Sequence, residues 1–216
     1  MIHLIIGRQG SGKSLFCVHK AQEYYLSGSK VIYSNIHLNF KTKEKLFKYN
    51  HAGKLVKDYT YLKKDDFHAK FGYYYLDYDD IINCNLDNAM VVIDEAHLLL
   101  SARNSMSTTS RKICDSFISM VRKKKLELYM TTQTARKIDI RIREECDFLY
   151  MCSKYGYWTG SWHEIIDNLD RDKKIPIMIK IGVQEQIGST WLNVNFIGNP
   201  IFSLFDSTQI IKVKGI

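Results

Sequence analysis

Gly7-Arg8-Gln9-Gly10-Ser11-Gly12-Lys13-Ser14 decides the reading of this chain. The octapeptide fits G-x-x-x-x-G-K-[ST] at every fixed position. Gly7, Gly10 and Gly12, with the small Ser11 between them, let the backbone fold so that successive N–H groups point inward and cradle a phosphate. Lys13 is then expected to reach the β- and γ-phosphates of a nucleotide, and the Ser14 hydroxyl to bind Mg²⁺. Before the loop stands Ile2-His3-Leu4-Ile5-Ile6, a short run that reads as a buried strand. After it, residues 13–26 place Cys17, Val18, Ala21, Tyr24 and Tyr25 on one helical stripe. Strand, glycine loop and helix in that order are what a phosphate site requires, because the helix adds its positive end.

Further along, Met90-Val91-Val92-Ile93-Asp94-Glu95 is a fully apolar strand that delivers two acids at its carboxyl end. Ligands sit at that end of a parallel sheet. Asp94 is expected to hold the Mg²⁺ shell, and Glu95 to polarise a water for in-line attack on the γ-phosphate. The competing reading of Glu95 is a cap on the next helix. Ala96-His97 completes Asp-Glu-Ala-His, a tetrapeptide also found in helicases with two motor domains, which need a longer chain. His97 reads as a packing or hydrogen-bonding residue rather than a catalyst.

Leu128-Tyr129-Met130-Thr131-Thr132-Gln133 ends an apolar strand with a polar tip. Should this strand lie between the loop strand and the acid strand, Gln133 would face the γ-phosphate and orient the water or report the nucleotide state. The competing reading is a simple turn at Thr-Thr-Gln.

Elsewhere, Ser27-Gly28-Ser29 ends the first helix and Val31-Ile32-Tyr33-Ser34 is a second strand. Residues 41–70 read as irregular and basic, with nine lysines against four acids. Tyr73–Leu76 reads as a minor strand, residues 110–122 and Ile138–Glu145 as helices, and Phe148–Cys152 as a fifth strand. Strands alternating with helices predict a parallel sheet covered on both faces. The end differs. Ile177, Ile179, Ile181 and Val183 alternate with other residues, as do Leu192, Val194 and Phe196, with a turn at Ile187-Gly188-Ser189 between them. That predicts a hairpin added after the core. The 216 residues suit one domain, with a core over about 1–155 and the hairpin over about 175–198.

Net charge is +8, which favours a polyanionic partner. Residues 103–125 concentrate it, with seven Lys/Arg against one acid. Lys123, Lys124 and Lys125 are the candidate contacts to DNA phosphates, and the 41–70 stretch is a second candidate surface. Five cysteines form no C-x-x-C pair, which argues for reduced thiols and against structural zinc. The amino-terminal residues lack a basic leader, and a charge or amide interrupts every apolar run. The expectation is a cytoplasmic or virion-associated protein.

Gly7–Ser14, Val31–Asn35, Val91–Glu95, Arg122, Thr132-Gln133 and Phe205-Asp206-Ser207-Thr208 together resemble the HerA/FtsK superfamily of DNA-pumping ATPases. Within it, the chain is most similar to Zot-like proteins and small viral genome-packaging ATPases. Two departures stand out. Zot-like assembly proteins usually carry a membrane span after the ATPase, and Lys123 follows Arg122 where they often have His. The resemblance implies a RecA-like α/β fold, ATP and Mg²⁺, and a homo-hexameric ring that moves double-stranded DNA through its centre, with a capsid or virion protein as a further partner. It also implies a neighbour-supplied arginine, for which Arg122 is the favoured position and Arg103, Arg136, Arg141 and Arg143 are alternatives. The rivals are an assembly or export ATPase, and a nucleotide-dependent switch or small-molecule kinase.

Overall fold

Ile2–Ile6 (β1) runs up the middle of an eight-stranded sheet, with a parallel neighbour on each side. The computed structural model describes residues 1–41, 47–49, 55–57, 68, 70–83, 85–100, 113–157, 178–187 and 190–197. In chain order the strands are β1, β2 (Val31–Ser34), β3 (Phe47–Tyr49), β4 (Leu55–Lys57), β5 (Tyr74–Tyr75), β6 (Ala89–Ile93), β7 (Glu127–Thr132), β8 (Phe148–Tyr157), β9 (Met178–Ile187) and β10 (Thr190–Ile197). The helices are α1 (Lys13–Ser27), α2 (Tyr78–Ile82), α3 (Ser119–Lys123) and α4 (Ile140–Glu144). The sheet order is β10-β9-β8-β1-β7-β6-β2-β5. From β8 to β5 every pairing is parallel, while β9 and β10 join antiparallel.

Side chains alternate across these strands, so each face collects its own apolar set. Ile5, Met90, Val92 and Tyr129 meet Phe16, Cys17, Val18 and Ala21 of α1 on one face. Leu4, Val91, Ile93, Leu128 and Met130 meet Phe117, Val121 and Ile142 on the other. The helical stripe expected over 13–26 is therefore the packed side of α1. Gly28, with φ 62°, closes that helix in the left-handed region that favours glycine.

Several elements differ in extent from their sequence reading. The helix expected over 110–122 is, where described, a π-turn at Ile113–Ile118 leading into α3. The helix expected from Ile138 starts at Ile140, because Asp139 caps it by accepting the Arg141 N–H at 3.0 Å. The 41–70 stretch, read as irregular, contains the antiparallel pair β3–β4. The expected hairpin is β9–β10, and it does not stand apart from the core: β9 pairs with all ten residues of β8 except the first. Gly188 and Ser189 of the expected turn, and Phe205–Thr208, lie outside the described residues.

One polar cluster sits inside the α1 face. His3 is stacked on Tyr129 and Phe148, with ring centroids 4.1 and 4.9 Å away. Its Nε2 lies 3.0 Å from Glu127 and its Nδ1 lies 3.2 Å from the Tyr150 hydroxyl. With Nε2 protonated, the ring donates to the carboxylate and accepts from the phenol, so both nitrogens are satisfied. Burial nonetheless depresses the His3 pKa, against the opposing pull of Glu127.

Candidate functional site

The carboxyl ends of β1, β6 and β7 lie side by side, and they carry Gly7, Asp94 and Gln133 respectively. β7 does lie between the loop strand and the acid strand, the arrangement on which the reading of Gln133 depended.

Residues 7–14 form a loop that leads directly into α1. Gly7 must be glycine because a Cβ there would clash with the Ser11 hydroxyl and stand 2.7 Å from the Cys152 carbonyl oxygen. Gly10 and Gly12 take φ values of 72° and 92°, which side-chain-bearing residues seldom adopt. The Ser11 N–H donates to the Arg8 carbonyl at 3.1 Å and tightens the turn. Lys13 is nearly buried, and its ammonium donates to the same carbonyl at 3.1 Å, spanning the loop. The Ser11 hydroxyl is sealed from solvent and has no hydrogen-bond partner among the described residues. A buried hydroxyl left in that state costs free energy, and a phosphate oxygen would relieve it.

Below the loop, Ser14 donates to the Asp94 carboxylate, its oxygen 2.9 Å from each of the two carboxylate oxygens. Thr131 of β7 donates to Asp94 Oδ1 at 2.5 Å and accepts the Glu95 N–H at 2.9 Å. Asn35, just beyond β2, grips the Asp94 backbone reciprocally. Its amide donates to the Asp94 carbonyl at 2.9 Å and its oxygen accepts the Asp94 N–H at 2.8 Å. Burial pushes the Asp94 carboxyl up, while hydrogen bonds from Thr131 and Ser14 and the charge of Lys13 pull it down. The donor set suits Mg²⁺, which prefers hard oxygens and takes one or two carboxylates together with substrate phosphates. Among the described residues no cluster of three His, Cys, Asp or Glu occurs, and such a Mg²⁺ shell requires none.

Glu95 follows Asp94 with φ 50° and ψ 47°, at the start of a single 3-10 turn, Ala96–Leu98. Its side chain makes no cap bond to that turn, so the capping reading is not what its carboxylate does here. Instead Glu95 Oε2 lies 3.2 Å from His97 Nδ1. Gln133 is half-buried at the tip of β7, and its oxygen accepts from the Lys137 ammonium at 2.8 Å.

Arg122 and Lys123–Lys125 lie at the other end of β7, before its first residue. Six residues of strand separate them from the tip, about 20 Å at ~3.3 Å per residue. Arg122 donates to Asp147 at 2.8 Å, and Asp147 in turn accepts the Ile2 N–H at 2.7 Å. That clasp ties the α3–β7 corner to the starts of β1 and β8. Lys30 reaches the same edge by donating to the Lys125 carbonyl. The structure therefore brings the loop, Ser14, Asp94, Glu95 and Gln133 to one end of the sheet, and Arg122 with the three lysines to the opposite end. Arg103 lies outside the described residues.

Sequence reasoning assigned no role to Thr131. Its signal is present: a hydroxyl at the carboxyl end of an otherwise apolar strand, level with the acids on the adjacent strand.

Comparison with solved structures gives the same architecture. The N-terminal domain of zonular occludens toxin from Neisseria meningitidis superposes with a TM-score of 0.51 at 14% identity, covering 95% of this chain and 98% of that one. The genome packaging NTPase B204 from Sulfolobus turreted icosahedral virus 2 in complex with AMPPCP gives 0.52 at 13% identity, covering 89% and 95%. The same NTPase in complex with ATP-gammaS gives 0.50 at 14% identity. At such identities the likeness is one of fold, that of a RecA-like P-loop NTPase. No curated protein sequence matches the chain. Residues 1–208 match the family model described as Zonular occludens toxin (Zot), and with the phosphate loop and acid strand in place, the chain belongs to the Zot family.

Proposed function

We propose that this protein is a Mg²⁺-dependent ATP hydrolase that moves double-stranded DNA, in a homo-hexameric ring, for packaging a viral genome. The observation that carries the hydrolase reading is the convergence of Ser14 and Thr131 on Asp94, directly below a glycine loop with an unsatisfied buried hydroxyl. Ser14 and Asp94 would hold Mg²⁺, which supplies charge neutralisation at the β- and γ-phosphates. The loop amides and Lys13 bind the phosphates. Glu95 accepts a proton from the attacking water, and Gln133 positions that water from the neighbouring strand.

The DNA reading draws on the net charge of +8 and on Lys123, Lys124 and Lys125 standing together just before β7. Lys and Arg contacts to phosphate are blind to sequence, as a motor that tracks along DNA needs. That end of β7 is remote from the phosphate loop, so a polyanion bound there leaves the nucleotide site open. The one domain spans a core over about 1–155 and the hairpin over about 175–198. A capsid or virion protein would be the further partner. Arg122 would complete the nucleotide site of a neighbouring subunit, since its own site is a strand length away.

A second reading, an ATPase for assembly or export of a filamentous virus, is favoured by the Zot family match. ATP hydrolysis measured with and without double-stranded DNA, across a salt series, separates the two. Stimulation by DNA that fades with salt supports the DNA motor; hydrolysis indifferent to DNA at every salt concentration overturns it.

A further inference from the structure

Glu95 leaves β6 in the left-handed region, so the chain turns sharply and Ala96–Leu98 form one tight turn. The turn folds His97 back over the residue two before it, and its Nδ1 comes within 3.2 Å of Glu95 Oε2. Both atoms are sealed from solvent, and neither has another hydrogen-bond partner among the described residues. At 3.2 Å the two atoms are within hydrogen-bonding distance without being bonded, so a bond between them requires one side chain to turn toward the other. Two buried polar atoms, each without an alternative, gain most by bonding to each other.

We propose that His97 is a positioning residue for Glu95: its Nδ1–H holds Oε2 and leaves Oε1 free to accept the proton of the attacking water. This rests on the reading of Glu95 as the base. Imidazole suits the task for an electrostatic reason. Burial lowers the pKa of His97, with Lys137 and Lys13 adding to the effect and Glu95 opposing it, so the ring is neutral at neutral pH. A neutral donor orients a carboxylate without stripping its basicity as an adjacent cation would. The carboxylate in turn selects the tautomer with hydrogen on Nδ1. A base swinging freely about its χ angles would meet the water in the right geometry only part of the time.

Four variants test this in full-length protein: His97→Ala, His97→Asn, Glu95→Gln, and His97→Ala combined with Glu95→Gln. The readouts are ATP kcat and KM, nucleotide affinity, and melting temperature. His97→Ala should lower kcat by about tenfold to a hundredfold, as a misplaced catalytic group does, with KM and affinity unchanged. His97→Asn, which presents an amide N–H near the position of Nδ1, should recover most of the loss. In the Glu95→Gln background, removing His97 should leave the residual rate unchanged, because the group it positions is gone. Wild-type kcat in His97→Ala overturns the proposal, and so does the same proportional loss in both backgrounds. A loss of kcat that comes with weakened binding and a lower melting temperature, and that Asn does not rescue, assigns His97 to packing and also overturns it. Should Glu95→Gln itself turn over at the wild-type rate, the base is another residue, and that reading falls whatever His97→Ala does.

Discussion

Thr131 donates its hydroxyl hydrogen to Asp94 and, on the same oxygen, receives the backbone N–H of Glu95. One fully buried hydroxyl on β7 thus fixes both acids of β6 relative to the strand whose tip carries Gln133. Thr131→Val keeps the shape and removes both bonds. It should cost about 1–3 kcal/mol of stability, as leaving a buried N–H unsatisfied does, and lower turnover with it. Thr132→Val is the control, since among the described residues that hydroxyl reaches the Thr134 carbonyl alone, at 3.3 Å. Thermal unfolding and kcat for the two variants check the asymmetry; equal losses would remove the special role of Thr131.

Lys13→Ala should abolish tight nucleotide binding or turnover, because it removes the charge aimed at the β- and γ-phosphates. Glu95→Gln should bind ATP with Mg²⁺ normally and turn over roughly 100-fold or more slowly, the usual loss when a general base is removed. Nucleotide titration followed by steady-state kinetics separates the two phenotypes. Near-normal hydrolysis by Lys13→Ala would undo the assignment of the loop.

Replacing Lys123, Lys124 and Lys125 together by Ala should weaken binding to all DNA sequences alike and flatten its salt dependence, by about 0.9 in log–log slope for each DNA phosphate no longer neutralised. Fluorescence anisotropy with two unrelated duplexes over a salt series is the measurement. An unchanged slope would move the DNA path to another surface, with residues 41–70 next in line.

Arg122→Ala should barely move the melting temperature, because an ion pair this exposed contributes about 0–1 kcal/mol. Turnover should nonetheless fall if the guanidinium serves a neighbour's nucleotide. Mixing this variant with Glu95→Gln should then restore part of the activity, increasingly so at higher protein concentration. Mixed rings that form and stay inactive would confine Arg122 to its clasp with Asp147.

Stability should fall as pH drops below about 6.5, the free-histidine pKa. Burial holds His3, His19 and His97 below the ordinary histidine value in the folded chain. The unfolded chain then binds protons first as pH falls, so stability is complete above about 6.5 and is lost as pH drops through the folded values. His3 is the most deeply buried of the three, so His3→Gln should flatten the profile most. Melting temperatures at closely spaced pH values read this directly.

The phosphate loop and the acid strand were legible in sequence because their chemistry needs fixed residue types at fixed spacing. Strand order was legible only conditionally: the reading of Gln133 required β7 to lie beside β1, and nothing local in Leu128–Gln133 states its neighbours. Thr131, Asn35 and His97 were harder to assign because each acts on a residue distant in sequence or across a tight turn. Asn35 meets Asp94 across adjacent strands, and His97 meets Glu95 only because Glu95 takes a left-handed conformation that no pattern of polarity signals. His3 and Glu127 were hidden differently. Each interrupts an apolar run, and only the register of β1 against β7 shows that they satisfy one another.

The pairing of β1 has a consequence for how the chain is made. Both of its parallel partners, β7 and β8, lie more than a hundred residues downstream, with Ile2 opposite Leu128 and His3 opposite Phe148. β1 therefore waits through the synthesis of the acid strand and everything between before either neighbour can enclose it. Non-local parallel pairing of this kind folds slowly, since the loop must close before any contact rewards it. Gly7 packs against the carbonyl of Cys152, so the phosphate loop acquires its floor only when β8 arrives. Nascent chains that stop short of residue 152 carry the whole octapeptide yet lack the wall it packs against, so the loop's shape depends on the arrival of β8, before β9 and β10 extend the sheet.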